Sequence, residues 1–297
     1  MNHAPVIETR DLAKSYGAVE AVRDLNLTVY PNRITGFLGR NGAGKSTTIK
    51  MLLGMIRPTA GTGAVLGRAI ADPAQSVELR RRVAYVSEDK RLYDYMTVEQ
   101  IIRFTAGFYP DWRAEAGQSL LRMFELPPKR KIKSLSKGMR TKLALLLAFT
   151  RRPELLILDE PSEGLDPVAI EQLLEALVTR SAEGTAVFFS SHQIAEVERV
   201  ADDVCIIEKG RLLVHSPLDH LRQFFRRIDL VFPHATAEDP FRIPGVESIR
   251  TRGAAMSVFA SSNSEIVVER ARELSAVSID VAPVGLREIF LETVKEN

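Results

Sequence analysis

Gly39-Arg40-Asn41-Gly42-Ala43-Gly44-Lys45-Ser46 is the stretch on which the reading of this chain turns. It matches G-x-x-x-x-G-K-[ST], the pattern of a phosphate-binding loop. The apolar run Ile34 to Leu38 precedes it and predicts a buried strand, while Thr47 to Leu53 follows and predicts a helix start. Strand, loop and helix in that order are what the pattern requires. The glycines let successive backbone N–H groups turn inward on an anion, and the helix N-terminus adds partial positive charge. Lys45 is expected to reach the β- and γ-phosphates of a nucleoside triphosphate, and the Ser46 hydroxyl to ligate Mg²⁺. Gly39, Arg40, Asn41, Gly42, Ala43, Gly44 and Thr47 complete the expected cradle. The loop implies a bound triphosphate without naming a reaction.

The chain has 297 residues, 45% hydrophobic and 26% charged, which is ordinary globular composition with material for a large core. Its net charge of +2 gives no support to a nucleic-acid partner. The basic clusters Arg80-Arg81-Arg82 and Lys129-Arg130-Lys131 are short and sit in amphipathic sequence, so solvated faces are expected there. A single cysteine, Cys205, excludes an internal disulfide framework. It lies in the apolar run Val204-Cys205-Ile206-Ile207, where a buried, inert thiol is expected. Met1 to Arg10 carries charge and no apolar segment of the kind a signal peptide needs. Leu143 to Phe149, a strongly apolar run, is far short of the ~20 residues of a spanning helix. Association with a membrane would therefore need a partner.

Further strands are predicted at Val6–Leu12, Leu25–Tyr30, Val83–Val86, Leu155–Asp159 and Thr185–Ser190, with a hairpin of Val204–Glu208 and Arg211–Val214 around Lys209-Gly210. Arg57 to Gly63 is expected to be a breaker-rich loop. Thr97 and Gln100 have capping-box spacing and open a predicted helix to about Phe108; Trp112 to Phe124 predicts another. Residues 93–133 thus read as a helical insert in an α/β pattern. Ser136 to Thr150, Val168 to Arg180 and Gln193 to Val200 are further predicted helices. Near Phe225 the pattern changes to a small α+β tail, with strands at Ile228–Phe232, Met256–Ala260 and Val277–Val281 and helices at Ser264–Leu274 and Leu286–Val294. The expected domains are residues 4–225 and 226–297.

Leu155-Leu156-Ile157-Leu158-Asp159-Glu160 places two carboxylates at the C-terminal end of a buried strand, where open α/β sheets bind ligands. Asp159 is expected to hold Mg²⁺ opposite Ser46, and Glu160 to polarise the attacking water.

Three further stretches carry a family resemblance. Leu135-Ser136-Lys137-Gly138-Met139 precedes the acidic strand, Glu160-Pro161-Ser162-Glu163-Gly164-Leu165-Asp166 follows it, and Ser190-Ser191-His192 ends the next strand. With the phosphate loop, these resemble the nucleotide-binding subunit of an ATP-binding cassette (ABC) transporter, of the exporter type, over about Val6 to Leu221. The resemblance implies a P-loop NTPase fold of ABC type: a mainly parallel core sheet, an N-terminal antiparallel β subdomain, the helical insert and a small C-terminal α+β domain. It implies ATP and Mg²⁺, and a dimer with a second nucleotide-binding subunit, homomeric or heteromeric. It also implies a polytopic transmembrane subunit that holds the chain on the cytoplasmic face of the membrane. Tyr16 resembles the aromatic that stacks on adenine. Ser136, Lys137, Gly138 and Met139 resemble the signature that contacts the other subunit's γ-phosphate. Ser162 and Asp166 resemble the loop linking the two sites, and His192 the switch histidine. The aromatic cluster Phe104, Phe108, Tyr109 and Trp112 of the insert is expected to offer apolar contacts to the membrane subunit.

Three positions depart from the family pattern. Lys137 stands where glycine is usual and Met139 where glutamine is usual, which adds a cation and removes an amide. Glu88 stands at the place of a glutamine; its carboxylate can face Mg²⁺ but, ionised, donates no hydrogen bond, and its negative charge needs the metal or a cation to offset it. Two other readings share these motifs: a soluble ABC-type ATPase of repair or translation, and a weakly hydrolysing regulatory cassette. The Lys45-to-Asp159 separation is too short for a long coiled coil, and Glu160 and His192 are both present.

Overall fold

In the computed structural model, residues 4–295 are described. The chain runs through β1 (Ile7–Tyr16), β2 (Val19–Leu25), β3 (Thr28–Val29), β4 (Ile34–Leu38), α1 (Lys45–Leu52), β5 (Ala60–Val65), β6 (Arg68–Ala69), α2 (Pro73–Arg82), β7 (Val83–Val86), α3 (Val98–Ala106) and α4 (Ala114–Met123). It continues with α5 (Lys137–Phe149), β8 (Leu155–Asp159), α6 (Pro167–Ala182), β9 (Ala186–Ser191), α7 (Ile194–Val200), β10 (Asp203–Glu208) and β11 (Arg211–Pro217). The C-terminal part holds α8 (Leu218–Phe224), β12 (Arg226–Val231), β13 (Val246–Arg252), β14 (Ala255–Ala260), α9 (Ser264–Glu273), β15 (Ser278–Pro283) and α10 (Leu286–Lys295). Two compact units result, Met1–His215 and Ser216–Asn297.

The first unit is built on a sheet of order β11-β10-β4-β9-β8-β7, in which β10, β4, β9, β8 and β7 are mutually parallel. Strands β4, β8, β9 and β10 are buried at every residue, as their largely apolar runs predict. Register pairs Leu38 with Ser191, and Asp159 with Ser190. The phosphate loop, Glu160 and His192 therefore all leave the sheet at one end, and the segment after Val86 leaves there too. Cys205, on β10, is fully buried, and burial pushes its thiol well above the usual range.

A second sheet, β2-β1-β5-β6 with β3 on β1, forms the antiparallel part of this unit. Here the structure corrects two expectations. Arg57 to Gly63 is not all loop: β5 begins at Ala60. Gly61 has φ +75°, and a Cβ there would lie 2.1 Å from the Asp11 carbonyl oxygen, so the glycine admits close backbone approach to β1 rather than ending the strand. Leu25 to Tyr30 is not one strand but the end of β2 and the short β3. Asp24 takes a left-handed φ of 45°, and the Asn26 amide donates to the Asp24 carbonyl at 3.1 Å and to Asp11 Oδ1 at 3.0 Å, which turns the chain. Helix α2 was also not anticipated; Asp72 caps it by accepting from Ala74 N–H at 2.9 Å.

The insert holds α3 and α4. Thr97 and Gln100 form the expected capping box. The expected aromatic cluster divides. Phe104 and Phe108 are exposed with centroids 5.0 Å apart, and Tyr93, with Tyr95 beside it, extends the row to Phe104 at 5.6 Å. Tyr109 instead lies beneath the Arg151 guanidinium, 3.6 Å from its centroid.

In the second unit the antiparallel order is β13-β14-β12-β15. Val267 and Ala271 of α9 pack on Ile228, Leu230, Met256 and Val258. Strand β13 and helix α8 were not anticipated. Of the N-terminal stretch read from sequence, residues 1–3 lie outside the described residues, as do residues 296–297 of the tail.

Candidate nucleotide-hydrolysing site

The phosphate loop is a turn that only its glycines permit. Gly42 and Gly44 have φ of 82° and 109°. A Cβ on Gly44 would lie 2.5 Å from the Ala21 carbonyl oxygen, and one on Gly39 would lie 2.6 Å from that of Ile207. Helix α1 starts at Lys45 with no side chain capping its N-terminus, so its first N–H groups face the loop's concavity. Arg40, Asn41, Gly42, Gly44, Lys45, Ser46 and Thr47 line a cleft that Ala21, Glu88 and Glu160 complete. Gly39 and Ala43 are buried beneath it.

Lys45 is buried, its ammonium donating to the carbonyl oxygens of Gly39 at 2.7 Å and Arg40 at 3.3 Å. It also lies 3.1 Å from Glu160 Oε1. The other carboxylate oxygen, Oε2, is 2.8 Å from His192 Nδ1 and accepts from the His192 backbone N–H at 3.3 Å. One carboxylate thus joins the phosphate-loop lysine to the histidine after β9. Glu160 itself takes a left-handed φ of 48°, a conformation costing a non-glycine residue about 1–2 kcal/mol. Its N–H donates to Ser190 Oγ at 3.0 Å, and that hydroxyl donates to Asp159 Oδ1 at 2.6 Å.

The oxygen donors suited to a metal are Ser46, Glu88 and Asp159. Ser46 Oγ donates to Glu88 Oε2 at a long 3.4 Å, and Asp159 is buried. Among the described residues no group of three or more His, Cys, Asp or Glu could cage an ion by itself. Hard oxygen ligands in small number fit Mg²⁺, which is held by one or two carboxylates, water and substrate phosphates rather than by a protein cage.

Four of the expected residues form a separate group. Ser136 caps α5 and accepts from Met139 N–H at 3.2 Å. Lys137 is not a free cation: its ammonium donates to Glu163 Oε1 at 2.6 Å, which holds the Glu163 carboxyl below the usual range. A Cβ on Gly138 would lie 2.5 Å from the Gly164 carbonyl oxygen. None of residues 136–139 lines the phosphate cleft. Asp166 caps α6, accepting from Ala169 N–H at 2.9 Å and from Lys142 at 3.3 Å. Those two bonds lower its pKa, the backbone one most. Tyr16 is half exposed at the end of β1, with Lys14 Nζ 5.1 Å from its ring centre, and is not part of the cleft lining.

Sequence reasoning passed over Glu196. It is buried on α7 and accepts from Ser162 Oγ at 2.8 Å and Ser191 Oγ at 3.3 Å, tying the loop after Glu160 to the strand that carries His192. Burial raises its pKa; the two serine hydroxyls oppose the shift and Glu160 adds to it. A raised folded pKa contributes stability that is full below the unfolded value and lost as pH rises through the folded one. Near neutral pH, where the unfolded carboxyl is ionised, Glu196 is thus a cost. Glu196→Gln keeps an acceptor without the charge and is expected to raise the melting midpoint near pH 7. The gain should vanish toward pH 4; melting curves from pH 4 to 8 check it, and a pH-independent difference contradicts it.

The ABC transporter family matches residues 22–163. Over 225 residues the chain is 37% identical to the bacitracin transport ATP-binding protein BcrA of Bacillus licheniformis, covering 75% of this chain and 73% of that one. This chain belongs to the ATP-binding proteins of ABC transporters. The Nod factor export ATP-binding protein I of Neorhizobium galegae is 32% identical over 300 residues, covering 98% of this chain and 86% of the relative. A solved ATP-binding subunit of an ABC transporter superposes with TM-score 0.67 at 35% identity, over 73% of this chain and 92% of that one. As an ABC transporter ATP-binding protein, the chain binds and hydrolyses ATP to drive transport. Its parallel sheet, antiparallel β subdomain and helical insert are the ABC-type P-loop fold.

Proposed function

We propose that this chain powers export through a separate polytopic membrane subunit, with a second nucleotide-binding subunit completing each ATP site. The observation that carries the hydrolytic part is the Glu160 carboxylate held between Lys45 and His192. The terminal phosphate of ATP competes with Glu160 for those two groups. Released toward a water, the carboxylate takes a proton as that water attacks. Lys45, His192 and the α1 N-terminus then face the negative charge developing on the phosphoryl oxygens. Ser46 and Asp159, with Glu88 beside them, would hold Mg²⁺, which neutralises charge on the β- and γ-phosphates. Ser136 and Gly138 lie outside this chain's own cleft, which supports a role against the partner subunit's nucleotide.

No described helix is long and apolar enough to cross a membrane, which is consistent with a separate membrane partner. The exposed row Tyr95, Tyr93, Phe104 and Phe108 supports the insert as the docking surface, since contiguous apolar surface marks interaction sites. Export, rather than import, is supported by the likeness to the Nod factor export ATP-binding protein. Affinity purification of the tagged chain from its own membranes is expected to bring down a multi-span hydrophobic protein. Phe104→Ser with Phe108→Ser should lose that protein while ATP binding persists. Retention of the partner by the double variant would move the docking surface elsewhere.

A further inference from the structure

Glu88 brings a negative charge to the triphosphate site, and the same loop supplies a cation two residues on. Lys90 is only 5% exposed, and its Nζ donates to the main-chain carbonyl oxygen of Glu160 at 2.9 Å. That oxygen also accepts from Glu163 N–H at 3.3 Å. The left-handed peptide unit at Glu160 is therefore gripped on both sides, at its N–H by Ser190 and at its carbonyl by Lys90. Lys90 has a left-handed φ of its own, 44°, and its N–H closes a turn onto Ser87 at 3.2 Å. The loop from Ser87 to Lys90 thus touches the site twice, with Glu88 at Ser46 and Lys90 behind Glu160.

We propose that Lys90 is a positioning residue for hydrolysis: its buried ammonium fixes the backbone that aims the Glu160 carboxylate and offsets the charge Glu88 brings. Burial lowers the Lys90 pKa below the usual range, with Lys137 adding to the shift, while the carboxylates of Glu163, Glu88 and Asp159 oppose it. Three carboxylates lie near this ammonium, yet its hydrogen bond goes to the main chain of Glu160 rather than to any one of them. A shift of the loop after β7 therefore moves the Glu160 backbone directly, without passing through nucleotide. This inference rests on Glu160 being the base.

The test compares full-length Lys90→Met, Lys90→Arg and Glu160→Gln with the unaltered chain. Three quantities are measured: kcat for ATP, equilibrium binding of a fluorescent ATP analogue, and amide hydrogen exchange across residues 160–165 without nucleotide. Small displacements of a reacting group cost rate out of proportion to binding, so Lys90→Met should lower kcat by about tenfold or more with Kd changed by under about threefold. Exchange across 160–165 should quicken, and Lys90→Arg should recover most of the rate. A kcat within about fivefold of the unaltered chain, Kd weakening in step with kcat, unchanged exchange, or Arg as impaired as Met would each overturn the assignment. Should Lys90→Met not fold, Lys90→Gln, a donor without charge, is held to the same thresholds. Turnover retained in Glu160→Gln would instead remove the base itself, whatever Lys90 does, so the two failures are distinguishable.

Discussion

Glu160→Gln is expected to lower ATP turnover by at least about a hundredfold, the range a positioned general base supplies, while ATP remains bound. The amide has the same shape: its oxygen can keep the Lys45 contact while its NH2 group faces His192 Nδ1, which accepts in the neutral tautomer, so the cleft keeps its form. What it cannot do is take a proton. The substitution also removes the anion that competes with the terminal phosphate for those two groups. Affinity for ATP should hold or improve, and nucleotide should accumulate in a dimer that no longer turns over. Steady-state ATPase measurement and size-exclusion chromatography with and without ATP read both effects. Turnover within a few-fold of the unaltered chain would assign the base elsewhere.

Gly138→Ala is expected to cut turnover by about tenfold to a hundredfold without weakening the chain's own hold on nucleotide, because it disturbs oriented donors rather than the cradle. A Cβ at this position would meet the Gly164 main-chain oxygen at 2.5 Å, and no flexible side chain is there to yield. Either the first turn of α5 or the loop from Glu160 to Asp166 must shift. Both Lys137–Glu163 and Lys142–Asp166 span that gap, but solvent-screened pairs of this kind are weak and cannot resist the displacement. The prediction is therefore a split: kcat falls, equilibrium binding of a fluorescent ATP analogue stays, and the melting midpoint changes little. If binding and turnover fell together, residues 136–139 would belong to the chain's own cleft. If neither fell, the close approach to Gly164 would have no functional weight.

Where one physical cause dominated a segment, the sequence was readable. Ile34–Leu38 and Leu155–Asp159 are buried at every residue and mostly apolar, and nothing competes with the strand reading. The Thr97 box and the phosphate loop are local geometries written in adjacent residues. Strand β5 was not readable because Gly61 and Gly63, which look like breakers, are there to admit a neighbouring backbone that sequence does not display. Strand β13, Val246–Arg252, is largely exposed along an edge and carries no clean alternation. The same division runs through the site. Asp159, Glu160 and His192 stand at the ends of legible strands. Lys90 and Glu196 do not, since each acquires its partners only when segments distant in sequence meet: Lys90 with Glu160, and Glu196 with Ser162. Lys137 reads in the sequence as an added cation, and its charge is taken up by Glu163 only in the fold.

The buried thiol of Cys205 has a practical side. It is the chain's only cysteine, it lies inside the central sheet, and burial suppresses its thiolate. A labelling reagent added to the folded protein should pass it by. Spin labels, fluorophores or cross-linkers can then be installed at engineered surface cysteines on α5 or the helical insert without first removing the native one. Distances between subunits through the ATP cycle become measurable on a protein altered at a single, chosen point.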